Sequence, residues 1–147
     1  MTLALHTMKD DTQLDIQVVK LDADNETING AGVDMLGYQG VVFIATCGKG
    51  EVATINLKAQ QDTVSNYATA ADLEGTGVDF ATAVATDGFG FLEIVRPAER
   101  YVRPVLVVPN LGTARPISIV AIRYGKNWLP ETNSDGEIHV SPAEGTA

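Results

Sequence analysis

The chain predicts an all-β fold: an antiparallel β-sandwich of two sheets in jelly-roll-like order, with immunoglobulin-like order as the second choice. Three observations predict it. Apolar residues alternate with polar ones, or gather in β-branched runs too short for a helix. Gly, Pro, Asn and Asp bound these segments. No stretch of useful length has helical periodicity. Each strand hides one face and needs a second sheet to cover it. At 147 residues the chain makes one domain, large enough to bury roughly 70% of the surface its unfolded form exposes. The expected division is an N-terminal arm over 1–12, the sandwich over 13–130 and an acidic C-terminal tail over 131–147.

Leu14, Ile16 and Val18 alternate with Asp15, Gln17 and Val19, which predicts a half-buried strand ending at Lys20, and Asp22 to Asn25 forms the next turn. Gly40 to Cys47 is apolar and β-branched, the pattern of a central strand, and Gly48-Lys49-Gly50 turns after it. From Glu51 to Gln61, Ala53, Ile55 and Leu57 fall on one side and Val52, Thr54 and Asn56 on the other. Residues 62–90 read as irregular, with a helical turn over Ala68 to Leu73. Phe91 to Arg96, Tyr101 to Val108 and Ile117 to Tyr124 are the remaining strands. Pro104 lies inside one of them and donates no ladder hydrogen bond, which predicts an edge strand or a bulge there.

Charge is segregated. Residues 1–95 hold four Lys/Arg against fourteen Asp/Glu, residues 96–130 hold six against Glu99 alone, and residues 131–147 return to −4. Opposed zones of this kind steer and register association. They suggest a chain built to meet another protein surface. The overall charge of −9 argues against a dedicated nucleic-acid binder, which needs a positive surface. The opening MTLALHTMKDD lacks the basic start of a secretory signal, and no apolar run is long enough to span a bilayer. A soluble protein without membrane or nucleic-acid partners is the expectation.

The motifs that resemble chemistry fail on spacing. Asp22-x-Asp24-x-Glu26 lacks the Gly and the bidentate Glu of a calcium loop. Asp87-Gly88-Phe89-Gly90 reads as a turn leading into a strand. His6 and His139 lie near opposite ends, and Cys47, the one cysteine, closes an apolar strand with nothing to lower its pKa. No catalytic constellation, metal site or cofactor site emerges, and the expectation is a protein that is not an enzyme. The residues that stand out are a basic and aromatic group: Arg96, Arg100, Tyr101, Arg103 and Arg115, with Trp128, the only Trp. Tyr and Arg are the residues enriched in interface hot spots, so these six are the candidate interface.

Several segments resemble a known family. They are Gly-Val-Asp-Met-Leu-Gly-Tyr (32–38), Gly-Val-Val-Phe (40–43), Leu-Lys-Ala-Gln-Gln-Asp (57–62) and Ala-Asp-Leu-Glu-Gly (71–75), followed by Arg96, Arg-Tyr-Val-Arg-Pro (100–104) and Ile-x-Ile-Val-Ala (117–121). Together they resemble small β-sandwich proteins encoded in the structural modules of tailed bacteriophages. The chain departs from that pattern at Gln61, where Ser or Glu is commoner, and in its long acidic tail. The resemblance implies a capsid decoration, or cement, protein made in the bacterial host cytoplasm and carried on the capsid exterior of the virion. It implies the major capsid protein as partner and a homotrimer as the working form. A tail- or spike-associated receptor or carbohydrate binder of the same fold is the alternative.

Overall fold

A computed structural model describes residues 11–22 and 24–126. Trp128, both histidines and nearly all of the two expected arms lie outside the described residues. The strands are β1 (Thr12–Asp22), β2 (Glu26–Asn29), β3 (Val33–Asp34), β4 (Gly40–Cys47), β5 (Ala53–Asp62), β6 (Ala71–Asp72), β7 (Val78–Thr82), β8 (Gly88–Val95), β9 (Tyr101–Val108) and β10 (Arg115–Tyr124). Sheet A has the order β1-β10-β4-β8. In sheet B the order is β2-β9-β5-β6, with β3 also on β9 and β7 also on β5. All pairings are antiparallel. β1 pairs β10, β2 pairs β9, β4 pairs β8 and β5 pairs β7. This is a hairpin of the whole chain rolled across two sheets, the jelly-roll order.

The core sits between the inner faces. Val41, Phe43 and Ala45 of β4 and Ile117, Ile119 and Ala121 of β10 face Ile55, Leu57 and Ala59 of β5 and Val102, Leu106 and Val108 of β9, all fully buried. These are the alternate positions that period-two reading assigns inward. Each such large side chain contributes about 1.5–3 kcal/mol relative to exposure.

Four expectations need correction. In β1 the apolar residues face out and the polar ones in: Gln13, Gln17 and Asp22 are buried while Ile16, Val19 and Leu21 are exposed. A bulge between Ile16 and Val18 keeps Val19 on the outer side. β1 is an edge strand whose inner side meets the β2–β3 connection and Arg123 and touches the apolar core through Val18. Gly32 N donates to Gln17 Oε1 at 2.6 Å, and Arg123 donates to Asp15 Oδ2 at 2.9 and 3.1 Å. Gln17 and Asp15 are thus satisfied on the inner side, while Asp22 accepts from Asp24 N through Oδ1 and keeps Oδ2 without a hydrogen bond, 3.3 Å from Lys20 Nζ.

Second, β9 is central in sheet B, not an edge. Gly30 N donates to the Pro104 carbonyl at 2.8 Å. The reciprocal bond that Pro104 lacks falls in the gap between β2 and β3, where no ladder partner is interrupted. Third, residues 62–90 hold β6 and β7, and 68–73 form a turn with two strand residues rather than a helical turn. Fourth, β8 begins at Gly88, not Phe91. Gly88 and Gly90 face inward, where a Cβ on Gly90 would lie 2.7 Å from the Phe80 ring. Phe89 and Phe91 therefore point outward.

Candidate interaction surfaces

Of the resemblance segments, 32–38 and 57–62 meet 100–104 on β9 and 71–75 adds to β5 beside it, while 40–43 and 117–121 lie in β4 and β10 of sheet A. Val33 and Asp34 pair with Val102 and Tyr101. On the other side Gln60, Gln61 and Asp62 pair with Arg103, Val102 and Tyr101, and Ala71 and Asp72 add to β5 beside them. Arg100, Tyr101 and Arg103 thus sit at one end of sheet B with a carboxylate and an amide from other strands and a phenol from the β5–β6 loop around them.

Arg100 makes a two-pronged pair with Asp34: Nε to Oδ1 and Nη2 to Oδ2, both 2.8 Å. The Arg100 guanidinium holds the Asp34 carboxyl below its usual range, against a smaller opposing push from burial. The same guanidinium lies 5.2 Å from the Tyr101 ring centre. Arg103 donates through Nε and Nη2 to Gln60 Oε1 at 2.9 and 2.7 Å and lies 4.9 Å from the Tyr67 ring centre. Tyr67 has a positive φ of 56°, a strained state that the surroundings must enforce. Its hydroxyl donates to the Val102 carbonyl at 3.0 Å. Burial is the main cause that pushes this phenol up to about 12. Asp62, buried at the base of the loop, is pushed up by burial. The donors of Val64 and Thr69 outweigh this and hold it below its ordinary value.

Arg96 stands in the β8–β9 connection, exposed, with φ of 49° and its N–H on the Gln39 carbonyl at 2.7 Å. Arg96 and Arg100 flank a hollow of ≈ 400 Å³ walled by Leu36, Tyr38, Pro97 and Glu99. Four of the six candidates, Arg96, Arg100, Tyr101 and Arg103, are therefore neighbours. Arg115 departs from this group. It is 2% exposed at the opposite end of the sandwich. Its guanidinium donates to the carbonyls of Glu51 and Leu111 and to Thr82 Oγ1, each at 2.9 Å, so it ties loops together and reaches no partner. Trp128 lies outside the described residues.

Much of the basic zone is engaged within the chain. Arg100 is spent on Asp34, Arg123 on Asp15 and on the Asp34 carbonyl, and Arg115 on interior oxygens. Two arginines of the basic segment thus pair with carboxylates of the acidic one, while Arg103 is held by the Gln60 amide and Arg96 is exposed.

A second surface escaped the sequence reading. The outer face of sheet A carries Ile16, Val19 and Leu21 from β1, Val120 and Ile122 from β10, Val42 and Ile44 from β4, and Phe89, Phe91 and Val95 from β8. Register aligns Ile16, Val120, Ile44 and Phe91 in one row across all four strands. The signal was present: Gly40–Cys47 and Ile117–Ile122 are apolar at both parities, although an antiparallel sandwich covers only one face. Among the described residues, no group of three or more His, Cys, Asp or Glu side chains is placed to hold a metal ion. Burial raises the Cys47 thiol.

No protein-family model matches the chain, and no curated protein matches it by sequence. Its fold is similar to the crystal structure of PBSX exported protein XepA, with a TM-score of 0.56 and 16% identity over 97% of this chain. The match takes in 47% of that protein, so the chain spans about half its length. At this identity the likeness concerns the fold.

Proposed function

We propose that the protein is a virion structural protein of a tailed phage, a decoration protein that grips the outside of the head and braces neighbouring capsomers, working as a homotrimer. The observation that carries the reading is the convergence on β9. Residues 33–34, 57–62 and 71–72 of the segments that resemble phage structural-module proteins gather around Arg100, Tyr101 and Arg103 in sheet B, and Arg96 shares a hollow with Arg100. The fold held in common with PBSX exported protein XepA is compatible with it. Bracing transmits load, and a rigid two-sheet body with its arginines preset by Asp34, Gln60 and two aromatic rings suits that task. Preset side chains lose little entropy on docking.

The test mixes purified protein with expanded, undecorated capsids of its phage and measures co-sedimentation at physiological salt. Wild type is expected to bind to saturation. The double variant Arg100→Glu/Arg103→Glu should lose attachment while keeping its circular-dichroism spectrum. Unchanged attachment by that variant would reject the assignment of these arginines. Wild type that ignores capsids but binds a glycan array would replace the reading with the receptor-binding one.

A further inference from the structure

We propose that the outer face of sheet A is a self-association surface, covered by a second copy of this chain. The inference does not depend on the capsid reading, since it concerns the protein alone in solution.

The face is apolar to a degree that a solvated sheet is not. Strand spacing and rise give four strands of about eight residues a face of roughly 19 by 26 Å, about 500 Å² in projection. Exposed apolar patches above a few hundred Å² mark interaction sites. Two such faces packed together remove on the order of 1,000 Å² from water, the lower bound for a specific interface. The area therefore suits a second copy of the chain.

Charge points to the same occupant. Across these four strands the outward positions hold one charged side chain, Glu93 on β8, and the Tyr124 hydroxyl donates to it. The chain as a whole carries −9. Copies repel through most of their surface, and this face is where they approach without opposing charges.

The relief is self-complementary. The flanks project, with Ile16 at 71%, Val19 at 73%, Phe89 at 66% and Phe91 at 60% exposure. Between them Val42, Ile44, Val120 and Ile122 are half-buried and form a lower floor. At one end the floor deepens into a hollow of ≈ 640 Å³ beside Val19, Leu21, Phe89 and Pro116. The aromatic flank on β8 of one copy fits the floor and the aliphatic β1 flank of the next. Whether the pairing closes as a dimer or as a ring follows from the angle between copies.

The experiment is light scattering and sedimentation of the full chain over a concentration series, without capsids. Wild type is expected to be a discrete oligomer at micromolar concentration. Ile16→Glu/Phe91→Glu, which places charges only on outward positions, should be a monomer with an unchanged circular-dichroism spectrum. Phe91→Ser, which adds no charge, should raise the dissociation midpoint about tenfold or more. Thr54→Glu, on the outer face of sheet B, should keep the wild-type mass. A monomeric wild type overturns the proposal, including a monomer that attaches to capsids through this face or binds lipid vesicles there. An oligomer whose mass neither Ile16→Glu/Phe91→Glu nor Phe91→Ser alters overturns it equally, because the copies then meet elsewhere.

Discussion

On the outer face of sheet B, Lys58 meets Asp72 at 2.7 Å, Asn56 donates to Asp79 at 2.8 Å and Arg103 is held by Gln60. The outer face of sheet A has Ile16, Val120, Ile44 and Phe91 in one row instead. Both sheets are antiparallel, share one core and follow the same alternation rule, yet only one presents the polar exterior that an antiparallel sheet turns to water. The difference teaches that alternation fixes which side chains share a face, not which face is wet. β1 makes this plain. Gln17 and Asp15 point inward, where Gly32 and Arg123 satisfy them, and Ile16, Val19 and Leu21 stand outside.

The sharpest way to break the comparison is to contrast inner and outer positions of sheet A itself. Ile119→Ala, at a fully buried site, should cost about 2–5 kcal/mol in chemical unfolding. Ile16→Ala, on the outer face, should change monomer stability by no more than about 0.5 kcal/mol, measured below the concentration at which copies associate. A large monomer loss at Ile16 would mean that the outer face is part of the fold and not a surface.

Much of the frame was legible in sequence. β4, β5, β9 and β10 follow from apolar alternation between Gly and Pro stops. What was not legible depends on non-local neighbours. Nothing near Pro104 in sequence announces the gap between β2 and β3 that lets a proline sit in a central strand. β7 was missed because Asp79 and the flanking glycines dilute its pattern, and only its pairing with β5 fixes it. The Gly88 to Phe91 segment reads as a turn until Phe80 fills the inner side and excludes any Cβ from Gly90. The site divided the same way. Arg100, Tyr101 and Arg103 stood out by composition. The partner of Arg100 lies 66 residues away, and Arg115 was misplaced because local sequence carries no sign of burial.

A second effect, of intermediate size, is a dependence on pH, shared by Asp22 at the end of β1, where burial pushes the carboxyl up and hydrogen bonds and Lys20 outweigh it. On sheet B and its loops, Asp34, Asp62 and Asp72 are all held below their ordinary value of 3.8. A depressed folded-state pKa stabilises the fold above the unfolded value and loses that contribution as pH falls through the folded one. Thermal unfolding should therefore hold steady down to about pH 4 and decline below it. Asp62→Asn should lower the midpoint at neutral pH, because an NH2 in place of Oδ2 cannot accept from Thr69 N, although the remaining oxygen can keep Val64 N and Thr69 Oγ1. It should also flatten the acid decline. An acid limb as steep as wild type's would place the responsible carboxylates elsewhere.

The smallest stability effect belongs to the residue with the largest proposed role. Arg100→Lys keeps the charge and removes the two-pronged geometry, since an ammonium is a point donor and a guanidinium a planar fork. The Arg100 and Asp34 side chains are 48% and 38% exposed, and ion pairs so open to solvent contribute little to folding. The unfolding midpoint should stay close to that of wild type. Capsid attachment should weaken nonetheless, because Lys holds neither the Asp34 fork nor the face of Tyr101 and arrives at the partner without a fixed direction. A variant that unfolds early but attaches normally would reverse this assignment, making the Arg100–Asp34 pair a device of the fold.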